Sequence, residues 1–207
     1  MKTIVEDFNR KELYEHYNSK ENPFVSVITK IDITSAYNYS KKHKNLYATL
    51  CYVFASSMNR VPAFMYTCVD GKFIKYDKLN LSYTEVLDNG NVAFICLNLE
   101  DSLEKFIESN KKVKALFKER QESLMLNNPD EGEVWFSCTP WFKFTGITVP
   151  FDRTVDVPQI IWDKCEFVDD RVYVNAMIMA HHGFVDGSHI ASLLNEINIE
   201  LSKLDKE

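Results

Sequence analysis

The alternation of apolar and polar positions near the C-terminal end of the chain predicts a strand followed by a helix. Between Arg171 and Ala180, every second position is apolar, which is the period of a strand with one buried face. Between Ser188 and Leu204, apolar residues recur every three or four positions, as in an amphipathic helix. The segment 181–187, which reads His-His-Gly-Phe-Val-Asp-Gly, separates the two, and its glycines allow a sharp change of direction.

The rest of the chain shows the same two kinds of pattern. The periodicity predicts helices over 8–17, 35–43, 46–59 and 103–122, and strands over 24–34, 64–69, 72–76, 79–86, 92–99, 134–139 and 158–167. Asp70-Gly71 predicts a two-residue hairpin turn, and the turn-rich segment 127–132 predicts a loop. The chain has 207 residues, so we expect a single domain spanning 1–207.

Composition and charge narrow the class of protein. The net charge is −6 and no basic stripe is present, which argues against nucleic acid as a partner. The five cysteines are scattered without a CxxC pair, which predicts reduced thiols in a cytoplasmic protein. No apolar run approaches 18 residues and the N-terminus lacks an apolar signal core, so we expect no membrane partner.

His182 is the strongest candidate for chemistry. It continues the apolar face of the predicted strand, and a histidine with an ordinary pKa of about 6.5 is mostly a free base at neutral pH. Such a base can take a proton from a substrate hydroxyl. Asp186 suits an ion pair or a helix N-cap, and either would fix the turn.

Two simpler interpretations of these residues stay open. The histidine pair could be part of a metal site, although no further His or Cys lies at ligand spacing, and Asp186 or Ser188 could serve only as a helix cap.

The segment 181–187 resembles the HHxxxDG signature of the chloramphenicol acetyltransferase family, and more loosely the HxxxDG of the wider CoA-dependent acyltransferases. Other segments also resemble the family's pattern. They are the N-terminal helix with Arg10, Thr29–Thr34 (TKIDIT), the trio Asn59, Pro62 and Phe64, the strand with Ser82-Tyr83-Thr84, and the set Ser137, Pro140, Trp141, Phe144 and Thr145. The resemblance runs from about Phe8 to Leu204, which is nearly the whole chain.

This resemblance implies an α+β fold, a two-layer mixed-sheet sandwich with helices packed on the sheet. It implies an acetyl-CoA-dependent O-acetyltransferase that needs no metal and inactivates the antibiotic chloramphenicol by direct transfer from the thioester, with His182 as general base. It further implies that Arg10 pairs with Asp186, and that the protein is a homotrimer with each active site between subunits. Tyr17 and Phe24 are candidates for the wall of the acceptor pocket.

Two positions depart from the family's pattern. The family has a serine whose hydroxyl is credited with stabilising the oxyanion of the tetrahedral intermediate, and this position falls at Gly146. A threonine common in the family falls at Ile161. A hydroxyl or N–H aimed at a developing oxyanion lowers the barrier by about 2.7–4 kcal/mol. We expect Thr145, Thr148 or the backbone N–H at Gly146 to supply that donor. The departures leave two alternatives open: an acyltransferase for another hydroxylated molecule, and a catalytically weak homologue that binds a ligand.

Overall fold

The computed structural model describes residues 1–43, 45–128, 130–150, 152 and 154–206. Five α-helices lie in these residues: α1 (Lys11–Asn18), α2 (Thr34–His43), α3 (Leu46–Met58), α4 (Leu103–Arg120) and α5 (Gly187–Lys203). The strands of the same residues are β1 (Lys2–Ile4), β2 (Phe24–Asp32), β3 (Tyr66–Val69), β4 (Lys72–Tyr76), β5 (Leu79–Val86), β6 (Val92–Leu97), β7 (Leu124–Met125), β8 (Gly132–Thr139), β9 (Gln159–Asp163), β10 (Glu166–Val168) and β11 (Arg171–His181). Two short 3-10 helices cover Pro62–Met65 and Leu204–Lys206.

The strands form one large mixed sheet and one small antiparallel sheet. The large sheet has eight strands in the order β10-β11-β9-β8-β5-β6-β7, and β2 pairs with β11. The pairs β5–β8, β8–β9 and β6–β7 are parallel, whereas the other pairs of this sheet are antiparallel. The small sheet has the order β1-β4-β3. The α+β class expected from the resemblance is therefore confirmed.

Helix α3 lies at the centre of the helical layer, in contact with α2, α4, α5 and β5. Most of its residues are buried, as expected for a helix with few polar positions. The helix begins at Asn45, whose side-chain oxygen accepts a hydrogen bond from the backbone N–H of Ala48 at 3.2 Å. Together with the inner faces of β5, β8, β9 and β11, the helices enclose the main hydrophobic core.

Strand β11 carries the histidine pair, and its neighbours fix the place where it ends. It pairs with β2 along nine residues, so that His181 lies opposite Phe24. On its other side it pairs with β9, where Met177 lies opposite Ile161. A strand hydrogen-bonded on both sides leaves little freedom to the residues that follow it.

The structure corrects the sequence prediction in four places. The predicted strand 64–69 begins only at Tyr66, because Phe64 and Met65 belong to a 3-10 helix in which Pro62 fixes a helical backbone angle at the first position. The predicted strand 158–167 is divided into β9 and β10. The short strands β1 and β7 were not predicted, since three and two residues show no periodicity. The predicted loop at 127–132 includes Pro129, which lies outside the described residues.

In the part of the chain that the structure describes, no helix is both long and apolar enough to cross a membrane. All five cysteines are free thiols.

Candidate active site

His182 is the first residue after β11, and two backbone carbonyls hold it. Its backbone N–H donates to the carbonyl oxygen of Pro23 at 2.8 Å. Its ring atom Nδ1 lies 2.9 Å from the carbonyl oxygen of Val185. A carbonyl can only accept a hydrogen bond, so we assign the ring hydrogen to Nδ1. Nε2 then carries the lone pair, which is the state required of a general base.

The peptide groups of Gly183 are held from two sides. Its N–H donates to Nδ1 of His181 at 3.0 Å, and its carbonyl oxygen accepts from Nε of Arg10 at 3.0 Å. A Cβ atom at this position would lie 2.5 Å from the Cα atom of Tyr14. Residue 183 is therefore glycine because the backbone of α1 packs directly against the turn.

Arg10 and Asp186 form the ion pair that the resemblance implied. The Arg10 guanidinium lies 3.1 Å from one carboxylate oxygen of Asp186. The other oxygen accepts from the backbone N–H and the hydroxyl of Ser188, at 3.0 and 2.7 Å, and so caps α5. The Ser188 hydroxyl and the Arg10 guanidinium hold the pKa of Asp186 well below its usual range. The two roles considered for Asp186, ion pair and helix cap, are thus present together.

Two tyrosines of α1 stack on the two histidines. The rings of Tyr14 and His181 have centroids 4.5 Å apart, and the rings of Tyr17 and His182 have centroids 4.0 Å apart. The tyrosines lie three positions apart, so they share one face of the helix. Tyr17 is therefore in contact with His182. Phe24, the other pocket candidate, meets His181 edge-on at 5.7 Å.

His181 and His182 have different environments. His181 is 1 % exposed, and burial lowers the pKa of its ring to about 4. It is therefore neutral at pH 7 and has no access to a substrate. His182 is half-buried. Of the two, only His182 has the exposure and the free lone pair that proton transfer requires.

The oxyanion candidates lie in the segment after β8. Thr145, Gly146 and Thr148 are all exposed, and a Cβ atom at Gly146 would meet no atom within 4 Å. Close packing therefore does not require glycine at this position. Next to them, Phe144 packs against Ile161, Met177 and Met179 on the sheet. Ile161 is buried and lies opposite Ser137 of β8.

Two large cavities share a pair of hydroxyl side chains. One cavity has a volume of about 570 Å³ and the other about 670 Å³, and Thr84 and Ser137 line both. Their hydroxyl oxygens are 3.5 Å apart. The sequence comparison matched Ser137 to the family without giving it a role. The alternation along β8 could have indicated Ser137 as a site residue. Ser137 shares with Trp135 the face of the strand that is directed away from the main core.

The two cavities differ in their linings. The smaller is mostly apolar; its wall includes Phe94, Phe136, Val149 and Ile161. The larger combines aromatic rings with two lysines; its wall includes Tyr47, Trp141, Trp162, Lys114 and Lys164. His182 lines neither of them. Among the described residues, no group of three or more His, Cys, Asp or Glu side chains could hold a metal ion.

Comparison with known proteins identifies the family. Residues 2–198 match the family model described as chloramphenicol acetyltransferase. The chain is 31% identical over 203 residues to a chloramphenicol acetyltransferase of Clostridium perfringens, covering 93% of this chain and 90% of the relative. It is 26% identical over 208 residues to one of Staphylococcus aureus, covering 97% and 95%.

Solved structures with the same fold include a chloramphenicol acetyltransferase, with a TM-score of 0.84 and 21% identity, covering 97% of this chain and 100% of that one. They also include a probable dihydrolipoamide acetyltransferase from Listeria monocytogenes, with a TM-score of 0.68 and 15% identity, covering 98% and 94%. The fold is that of the CoA-dependent acyltransferases, and the protein is an acyltransferase. Within that class, the chain belongs to the chloramphenicol acetyltransferase family.

Proposed function

We propose that this protein transfers the acetyl group of acetyl-CoA to a hydroxyl of chloramphenicol, with His182 as general base. The observation that carries the proposal is the hydrogen bond between Nδ1 of His182 and the carbonyl oxygen of Val185, which leaves the lone pair on Nε2. Membership of the family supports the reaction class. A general base of this kind accelerates a reaction by about 10²–10⁴-fold.

In the proposed reaction, the acetyl group passes directly from the thioester to the acceptor hydroxyl, and His182 carries the proton. Nε2 of His182 takes the proton of the acceptor hydroxyl while the hydroxyl oxygen attacks the thioester carbonyl. The tetrahedral intermediate then expels the CoA thiolate, and the imidazolium returns the proton to its sulfur. The products are the acetyl ester and free CoA. Neither an enzyme-bound acyl group nor a metal ion is needed.

The two cavities suit the two substrates. The larger one offers the exposed Lys164 for the phosphates of CoA and aromatic rings for its adenine, so we assign this cavity to acetyl-CoA. Its other lysine, Lys114, already pairs with Glu85. The smaller, apolar one suits an aromatic acceptor such as chloramphenicol. Because Thr84 and Ser137 line both cavities, they mark the place where the thioester and the hydroxyl would meet.

Ser137 joins the candidates for the oxyanion donor. Thr145, Gly146 and Thr148 are exposed, whereas the Ser137 hydroxyl is at the junction of the two cavities. A donor in an enclosed site stabilises developing charge better than one in water. Ser137 therefore fits the role better than the three residues expected from the sequence.

We further propose that the active site lies between subunits of a homotrimer. His182 lines neither large cavity of its own chain, so another copy would have to bring the histidine to the substrates. The rim of the smaller cavity exposes Phe94, Met125 and Trp135, and Trp141 is 71% exposed at the larger one. Apolar surface of this extent is typical of a surface that another protein copy covers.

One observation favours a second candidate function. Ile161 presents an aliphatic side chain to the acceptor cavity at the position where the family commonly has a threonine. An aliphatic wall gives no hydrogen bond to a polar group of chloramphenicol. The second candidate is thus an O-acyltransferase for another hydroxylated small molecule with a more apolar body.

A free-thiol assay with product mass analysis tests the proposal. The purified protein is incubated with acetyl-CoA and chloramphenicol, beside His182→Ala and a control variant, His43→Asn, which removes a histidine at the end of α2. We expect CoA release that requires chloramphenicol, a product heavier by one acetyl group, and loss of about two to four orders of magnitude in His182→Ala only.

Other outcomes would change the conclusion. CoA release with a different hydroxyl compound but not with chloramphenicol would overturn the acceptor and favour the second candidate. No CoA release with any acceptor, despite binding of acetyl-CoA, would overturn the enzyme assignment and favour a ligand-binding homologue.

A further inference from the structure

Asp156 is a buried carboxylate in the segment before β9, and one of its oxygens faces His181, the residue before the turn that carries His182. Its Oδ2 accepts from the backbone N–H of Cys68 at 2.9 Å, and more weakly from the hydroxyls of Tyr14 and Thr67 at 3.4 and 3.5 Å. Its Oδ1 lies 3.9 Å from Nε2 of His181. Neither of these two buried atoms has a hydrogen-bond partner among the described residues.

The hydrogen on His181 points towards this carboxylate. Nδ1 of His181 accepts the N–H of Gly183, and the ring is neutral at pH 7 because burial lowers its pKa to about 4. A neutral imidazole carries one hydrogen, which must then be on Nε2. A donor on His181 thus faces an acceptor on Asp156 at a distance too long for a direct hydrogen bond.

A small cavity lies next to both atoms. Its volume is about 10 Å³, and Asp156 and His181 line it together with Phe64, Tyr66 and Phe184. A cavity of about this size holds one water molecule, and two facing polar groups would satisfy it. Two buried polar atoms left without partners would otherwise be costly.

We propose that Asp156 is a positioning residue for His182 and acts through a single buried water. The water accepts the hydrogen on Nε2 of His181 and donates to Oδ1 of Asp156. This arrangement keeps Nδ1 of His181 as the acceptor for the N–H of Gly183, the residue next to His182. The role in catalysis rests on the proposed function, whereas the hydrogen-bonded chain itself does not.

The consequence of losing Asp156 follows from the tautomer. Without the carboxylate, the N–H of Gly183 alone favours the hydrogen of His181 on Nε2, and the hydrogen on Nε2 has no acceptor. When the hydrogen is on Nδ1, the ring and the N–H of Gly183 are two donors that face each other, and the turn must move. A misplacement of a catalytic group by about 1 Å can cost 10²-fold in rate.

Nitrogen-15 NMR of the histidine rings in the full-length protein tests the chain of hydrogen bonds directly. In the wild-type protein we expect His181 with its hydrogen on Nε2. In Asp156→Ala we expect a mixture of tautomers and a kcat lower by about tenfold or more, with the KM for acetyl-CoA nearly unchanged. Asp156→Asn keeps an acceptor oxygen, so it should retain the tautomer and most of the activity.

Thr67→Val is the matched control, because Thr67 contacts only the other oxygen of the carboxylate. It should leave the His181 tautomer and kcat unchanged. If Asp156→Ala behaves like Thr67→Val, Asp156 merely anchors β3 and the proposal fails. If Asp156→Ala does not fold, the wild-type spectrum decides, because a hydrogen on Nδ1 of His181 contradicts the proposal. The spectra remain informative even if the protein transfers no acetyl group.

Discussion

At the scale of single residues, two adjacent histidines have different roles. Strand β11 ends at His181, which the core encloses, whereas His182 begins the turn and is half-buried. His181 uses Nδ1 to accept from Gly183, and His182 uses Nδ1 to donate to Val185. One ring therefore shapes the turn and the other is available to a substrate.

The buried state of His181 predicts a pH dependence of stability. Its pKa falls from about 6.5 in the unfolded chain to about 4 in the folded protein. The unfolded state binds more protons between these values, so this stabilisation is complete above pH 6.5 and is lost as the pH falls towards 4. We expect about 2 kcal/mol less free energy of unfolding from this group at pH 5 than at pH 7.

Urea unfolding at the two pH values measures this difference. His181→Asn is the matched variant, since its side-chain oxygen can replace Nδ1 as acceptor for Gly183 but does not titrate. The loss of stability between pH 7 and pH 5 should be smaller in His181→Asn than in the wild-type protein by about 2 kcal/mol. Equal losses would mean that His181 is not buried as the structure shows.

The sequence predicted some of these residues and not others. It indicated His182, Asp186 and Arg10, because they belong to one short motif and to one helix that resembles the family. It could not indicate Asp156, which is distant in sequence from His181 and meets it only through the fold of the segment before β9. From the resemblance we expected the oxyanion donor at Thr145, Gly146 or Thr148, and we propose Ser137 beside them because it lines both cavities.

At the scale of elements, the turn formed by residues 182–186 depends on α1. Arg10, at the start of this helix, holds both Gly183 and Asp186, and the helix backbone packs against Gly183. Tyr14 and Tyr17 stack on the two histidines. Helix α1 therefore acts as a clamp that holds the end of β11 and the start of α5 together.

Arg10→Lys should weaken this clamp. A lysine has one ammonium group and cannot repeat the two-sided contact of the guanidinium. We expect a kcat lower by about tenfold or more, together with about 1–2 kcal/mol less free energy of unfolding. Steady-state kinetics and urea unfolding measure the two effects.

Arg171→Lys provides the control, since Arg171 forms an ion pair with Asp32 on an exposed surface. It should change the free energy of unfolding by less than about 0.5 kcal/mol and leave kcat unchanged. If Arg10→Lys gave results as small as those of Arg171→Lys, the clamp would have no functional importance.

Long periodic elements were predictable, and short ones were not. The pattern located β11 and α5 to within one residue at each end, because apolar positions recur many times along them. It missed β1 and β7, and it assigned Phe64 and Met65, the last two residues of a 3-10 helix, to a strand. Those elements are set by contacts with distant segments and not by their own periodicity.

At the scale of the whole molecule, the resemblance predicted the fold but not the arrangement of the cavities. The order of strands in the large sheet brings Thr84 of β5 and Ser137 of β8 together at the wall of two cavities. Residues far apart in sequence form this junction, so no local pattern shows it. His182 lies outside both cavities, which is the reason for placing the active site between copies of the chain.

We propose that His182 of one copy acts on substrates held in the cavities of a neighbouring copy. The activity of hybrid oligomers tests this proposal. The two parent variants are His182→Ala, which lacks the base, and Ser137→Phe, which fills the junction of the cavities. Each carries a different affinity tag, and hybrids are purified through both tags after co-expression.

Each parent alone should be nearly inactive while remaining folded and assembled. In hybrids, some sites combine an intact His182 from one copy with an intact cavity from its neighbour. Every trimer that contains both variants has one such site out of three, so we expect recovery of about a third of the wild-type rate of CoA release. Hybrids as inactive as their parents would contradict the claim, because they would show that His182 and the cavities do not act across a subunit interface.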